Sequence, residues 1–292
     1  MDPQTVTVVL GLASAAAWGS ADFGAGLAGR RAALFGVILF SQLAGCGLAL
    51  VIAAVRGEPF PGPPELALAA VAGVIGGIGI GALYRGLATG RMGVVAPISG
   101  VLSAVVPVSA GIVLQGLPGV GVLAGIGLAL VAVVLVATAP VENEGSGRAG
   151  VGRFGSIPDD VPTAIVAGVA LGLLTLALGR LPAGSVFAPL VVVRLVEATV
   201  IGLVVVATRQ AWRLPRSIWP LILVVGFLDM AGNALFILAA QAGRLDIAAV
   251  LSSLYPVATL VLAAIVLKER VAGVHAIGVA MAMIAIVLVR IG

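Results

Sequence analysis

Charge is scarce in this chain: only 10% of its 292 residues are Asp, Glu, Lys or Arg. A soluble domain carries about 25%. So few charges exclude a surface made for water. Histidine and cysteine each occur once. This excludes a metal site built on His or Cys, and an internal disulfide, and Cys46 reads as a small apolar filler within a helix. No Gly-Lys-Ser/Thr phosphate loop is present, which argues against ATP-driven work by this chain alone. Catalytic groupings are missing, and neither an enzyme nor a cofactor is expected. Aromatic residues are few, at 4%.

What is abundant is apolar: 61% of the residues, with 41 glycines and a mean hydropathy of +1.24. The natural solvent of such a chain is the lipid bilayer. Membrane bundles use small residues to bring helix backbones together, so the glycine content fits. The net charge of +4 is not gathered into a basic stripe. The basic residues stand singly between apolar runs, as flanks of membrane spans, and nucleic acid is not an expected partner.

A membrane helix needs roughly 20 apolar residues. Runs of that kind fall at Val6–Ala28, Ala32–Val55, Leu66–Ala88, Gly93–Leu114 and Val120–Ala139. The first is read as a span, since it lacks the basic start and cleavage site of a removed leader. Five more follow at Val161–Leu178, Ser185–Ala207, Ile218–Ala240, Ile247–Leu267 and Val271–Ile291. The polar, Gly-rich stretch 140–160 between the two sets reads as a linker. The expected fold class is therefore an all-α membrane protein of ten transmembrane helices, with units at 1–139 and 161–292.

The two units resemble each other. A shift of 153 positions sets Gly90-Arg91 on Gly243-Arg244, Ser99 on Ser252, Gly125 on Gly278 and Val134–Val136 on Val287–Val289. Roughly fourteen identities fall in about 47 positions, where this composition gives about five by chance. Five crossings carry the chain to the other face, so a second copy must start inverted. Two inverted five-helix repeats are a recurrent transporter layout.

Several segments resemble the EamA type of the drug/metabolite transporter superfamily. They are Ala15–Ser20 with its Ala-Trp-Gly-Ser, Ala82–Ala88 (ALYRGLA), Leu254-Tyr-Pro-Val, and Leu267–Arg270 followed by Gly278. The resemblance covers nearly the whole chain and includes the five-plus-five layout. It implies export or uptake of small organic solutes, driven by a proton or substrate gradient. There are departures. Gly116 stands where the family has an acidic residue after the fourth span, although Glu269 holds that place in the second half. Pro256 faces Ser103 in the repeat, and Trp18 has no aromatic counterpart in the sixth span.

Ionisable groups inside a span cost roughly 2.5–3.5 kcal/mol each at its centre and are functional candidates by default. Arg194 and Glu197 share a face of the seventh run. They read as an anion-binding Arg, a proton-accepting Glu, or a mutually neutralised packing pair. Asp229 in the eighth run is a proton carrier, a substrate ligand, or half of a bridge to Arg194, with Asn233 on the same face. Asp22 lies late in the first run, nearer a surface. Trp18, one turn earlier, lines a cavity or sits in an interfacial belt.

Tyr84 is a pathway candidate, and Arg85 is expected to snorkel. The fourth run carries Pro97, Ser99, Ser103 and Pro107; the ninth carries Ser252, Ser253, Tyr255 and Pro256. Proline frees a carbonyl that needs a partner at membrane depth, and such helices often line cavities. The same serines also serve plain helix packing. His275 reads as an interface residue rather than a proton relay.

Orientation draws opposite answers. The resemblance implies cytoplasmic termini. The loops on the face opposite the termini hold most of the Lys and Arg, which puts the termini outside. The charge count concerns this chain directly and is preferred.

The expected activity is alternating-access transport of a small-molecule solute across the cell membrane. Trp18, Tyr84, Ser99, Arg194, Asn233, Ser252 and Tyr255 are the candidate solute ligands, and Glu197 or Asp229 the proton-coupling group. A monomer is compatible with ten spans. A passive facilitator or channel of the same fold is the alternative, ahead of a non-transporting scaffold.

Overall fold

The computed structural model describes residues 2–89, 92–138, 160–268 and 273–292. Eleven α-helices are present among them. The first five are α1 Pro3–Gly29, α2 Leu34–Arg56, α3 Pro63–Thr89, α4 Met92–Gln115 and α5 Val120–Thr138. Then come α6 Asp160–Leu178, α7 Phe187–Thr208, α8 Trp219–Ala242, α9 Leu245–Ser252, α10 Tyr255–Val266 and α11 Gly273–Ile291. Ten stretches of described residues are long and apolar enough to cross a membrane, with α9 and α10 together forming the ninth. The linker 140–160 lies outside the described residues, apart from Asp160 at the start of α6.

Local chemistry sets the helix ends. Asp2 accepts the Thr5 N–H at 2.8 Å and its hydroxyl at 2.6 Å, with proline in the first turn of α1. This is a standard N-cap, in which a carboxylate satisfies a donor the helix leaves free. The α4–α5 break falls at Gly116, whose φ of +78° suits glycine. Pro118 follows it.

One expectation needs correcting. The run 247–267 is not a single helix but α9 and α10, joined at Ser253 and Leu254. Pro256 has no N–H to continue the ladder. The turn closes instead with short bonds, Leu254 N–H to the Leu251 carbonyl at 3.2 Å and Val257 N–H to that of Leu254 at 2.9 Å.

The packing is reciprocal between the two sets of spans. Helix α1 lies on α8, and α3 on α6; α1 also meets α9 and α10, as α6 meets α4. Helix α2 packs on α7, and α5 on α11. The α5–α11 seam is held close by two glycines. A Cβ on Gly125 would lie 2.7 Å from Val289 Cγ2 and 3.0 Å from the Ala285 carbonyl. One on Gly278 would lie 2.8 Å from Val136 Cγ2 and 3.2 Å from the Ala132 carbonyl. Large apolar side chains such as Val55, Val113, Leu203 and Val206 point outward, as lipid contact demands.

Candidate functional site

A central cavity of about 210 Å³ lies between the two sets of helices. Helices α1, α2, α3, α7 and α8 line its outer part; α4, α6, α9 and the α9–α10 break line its inner part. Its lining extends along α1 from Trp18 to Asp22, which is exposed, and to Ala25, away from the termini. On the terminal side Leu178 and Leu245 are buried, and Arg244 straps two helices together. Its guanidinium bonds Asp246 in bidentate fashion at 3.0 and 2.7 Å and reaches the Gly116 carbonyl at 2.6 Å. A cation at the C-terminal end of α4 also meets the negative end of the helix dipole. In return, Gln115 Oε1 accepts the Leu245 N–H at 2.8 Å.

The polar heart of the cavity is a network across three helices. Arg194 Nη1 contacts Asp229 Oδ2 at 2.7 Å and Glu197 Oε2 at 3.1 Å. The Gln42 side-chain carbonyl also accepts from Nη1, while its Nε2 donates to Glu197 Oε2 at 3.0 Å. Arg194 and Glu197 are buried, and the Asp229 carboxylate keeps 30% of its surface open. All of these partners crowd onto one nitrogen. Nε and Nη2 of Arg194 are buried without a hydrogen-bond partner. Asn233 donates from Nδ2 to the Asp229 backbone carbonyl at 2.7 Å, one turn earlier on α8.

Above the network stand three rings. Trp18 stacks on Phe236 at 5.8 Å between centroids and meets Tyr255 edge-on at 6.5 Å. Trp18 reaches this place because Gly232 of α8 leaves room beside its indole. The interfacial reading of Trp18 is thereby corrected: it lines the cavity.

Most of the expected site residues meet in this one space: Trp18, Arg194, Glu197, Asp229, Asn233, Ser252 and Tyr255 all line it. Ser99 does not. It is buried, donates to the Val95 carbonyl at 2.8 Å, and its backbone packs against Gly168 of α6. Tyr84 and Arg85 lie in α3, but their side chains fall outside the described residues, as does that of Pro97. His275 is buried, and its Nδ1 has no partner among the described residues. Gln42 of the network and Phe236 of the rings were passed over in the sequence reading; Gln42 is the only amide side chain in α2.

Comparison with known proteins agrees with this picture. Residues 161–291 match the model of the EamA-like transporter family. That region is similar to the EamA-like transporters. No curated protein matches the chain. A solved structure titled "Crystal structure of protein" superposes with a TM-score of 0.77 at 16% identity, covering 98% of each chain. At that identity the likeness is one of fold. The spans, with this likeness to a transporter family, mark an integral, multi-pass membrane protein.

Proposed function

We propose that this protein is an alternating-access carrier of small organic solutes in the cell membrane, built from inverted repeats at 1–139 and 161–292. The observation that carries this reading is a central cavity between the two sets of spans, holding a buried charged network, with the Arg244 strap on the side of the termini. An occupied cavity that exchanges which end is shut moves its solute across.

The reciprocal packing supports the repeat. The shift of 153 that aligns the sequences also exchanges the contacts: Gly125 on Val289 becomes Gly278 on Val136, and Gly232 beside Trp18 becomes Gly79 beside Leu171. Helices that break at membrane depth, as at Ser253 and Leu254, are a transporter feature that leaves backbone groups facing a cavity. Two similar halves allow two states of similar energy, which alternating access requires.

Proton coupling is assigned to Asp229 ahead of Glu197. Glu197 is enclosed by Arg194 and Gln42, whereas the Asp229 carboxylate is open to the cavity. Protonating Asp229 weakens its hold on Arg194, which ties α7 to α8.

Purified protein in liposomes, with and without an imposed pH gradient, tests this. Solute flux should follow the gradient, and Asp229→Asn should abolish that dependence while counterflow exchange survives. Saturable counterflow that ignores the gradient in the wild-type protein would remove the proton. Flux without saturation or counterflow would make the protein a channel.

A further inference from the structure

We infer that the cavity selects protonated amines: a primary or secondary ammonium whose N–H donors meet Asp22 and Asn233, with an apolar body against Trp18 and Phe236. This rests on the carrier reading and names its substrate class.

The argument begins with where the donors of the lining go. Ser252 donates to the Gly11 carbonyl at 3.3 Å, Ser253 to that of Val250 at 2.7 Å, and Ser103 to that of Gly100 at 2.8 Å. Thr175 donates to the Gly172 carbonyl at 2.9 Å. A hydroxyl has one donor and two acceptor sites. With the proton engaged by backbone, each of these groups offers only lone pairs.

Asn233 is 7% exposed; one of its two amide N–H groups is engaged by the Asp229 carbonyl, and its Oδ1, with no partner among the described residues, is free to accept. The unpartnered donors of Arg194 are buried, and two of the lining carboxylates already neutralise its charge. Tyr255, set against Ser103, is the one lining hydroxyl that donates to no backbone carbonyl.

Charge points the same way. Among the described residues three carboxylates line the cavity, those of Asp22, Glu197 and Asp229, against one guanidinium. Arg194 engages two of them. Asp22 lines the cavity, is exposed, and has no ion pair or hydrogen bond among the described residues. An unpaired carboxylate in the lining attracts a positively charged solute. Trp18 sits one turn before it on α1, and an aromatic face adds attraction for a cation.

An anionic solute would meet acceptors and like charge. A zwitterion would gain at one end and lose at the other. A quaternary ammonium has the charge but no N–H for the lone pairs.

The test uses one body with four head groups: benzylammonium, benzyltrimethylammonium, benzoate and benzyl alcohol. Binding to the purified full-length protein in detergent is measured by calorimetry and thermal shift. Benzylammonium should bind best, with benzyltrimethylammonium about tenfold weaker and benzoate and benzyl alcohol weaker still. Asp22→Asn should weaken benzylammonium binding about tenfold while leaving the unliganded melting temperature in place. If that variant does not fold, Asn233→Leu replaces it, with the primary ammonium losing more affinity than the trimethyl compound.

The inference is overturned if benzoate or benzyl alcohol binds as well as benzylammonium, if no probe binds, or if the folded variant keeps full affinity. Counterflow in liposomes separates the two readings. Benzylammonium that binds but does not exchange refutes the carrier and keeps the amine site. Exchange of benzoate refutes the amine site and keeps the carrier.

Discussion

Arg194 Nη1 and Asp229 Oδ2 stand 2.7 Å apart, joining α7 to α8 at the centre of the bundle. Glu197 and Gln42 converge on the same nitrogen. A buried charge left without its partner is costly, by about 3–5 kcal/mol. Arg194→Ala is therefore expected to destabilise the protein by that order, because Glu197 and Asp229 lose the cation they share. Adding Glu197→Gln and Asp229→Asn to the same chain should recover much of the loss, since neutral amides need no counter-charge. Thermal unfolding in detergent measures both. Equal melting temperatures for the single and triple variants would contradict the pairing.

Arg244 offers a second test, on the closed face. Its ties to Asp246 and to the Gly116 carbonyl join α9 to the end of α4. Arg244→Ala should let that face open more often. Thr7 is fully buried nearby, with its hydroxyl toward the Ala239 carbonyl at 3.3 Å. In a chain lacking Cys46, Thr7→Cys is expected to react with a water-soluble maleimide about tenfold faster once Arg244 is removed, equivalent to about 1.4 kcal/mol in the opening equilibrium. An unchanged rate would make the strap irrelevant to access.

The contrast between Arg194 and Gln42 shows why some of the site could be read from sequence. A charge inside an apolar run carries a large solvation cost, so Arg194, Glu197 and Asp229 stand out with no structure in hand. Gln42 carries no charge, and its place between Arg194 and Glu197 depends on how α2 packs against α7. Serines show the same limit. Ser99 and Ser252 are equivalent in the repeat, yet only Ser252 reaches the cavity, because α9 ends there while α4 continues. Pro256 marked a disturbance in the ninth run but not a full break. That took the turn bonds at Leu254.

The glycine seam between α5 and α11 predicts two matched defects. A side chain at Gly125 would strike Val289, and one at Gly278 would strike Val136, at nearly the same distance. Overpacking a close contact costs about 1–3 kcal/mol. Gly125→Val and Gly278→Val should each lower stability by that order and by similar amounts, read from thermal unfolding. A large loss at one site and none at the other would show that the two contacts are not energetically equivalent.

Glu58 supports a prediction away from the cavity. It ends the turn after α2, yet its carboxylate accepts three backbone N–H groups at the start of α7. These are Val186 at 2.6 Å, Phe187 at 3.0 Å and Ala188 at 3.2 Å. The first N–H groups of a helix have no partners within it, and the helix dipole favours an anion there. Neighbouring Arg56 lies over the Phe187 ring at 5.7 Å, so the same turn holds α7 twice. Glu58→Ala removes every acceptor and should cost about 1–3 kcal/mol, the range for buried donors left unsatisfied. Glu58→Gln keeps one carbonyl oxygen but loses the charge, and its melting temperature should fall between those of the alanine variant and the wild type. Amide hydrogen exchange at residues 186–188 locates the effect. Faster exchange there, with no change in α3, is the expected result, and uniform acceleration along the chain would count against a local cap.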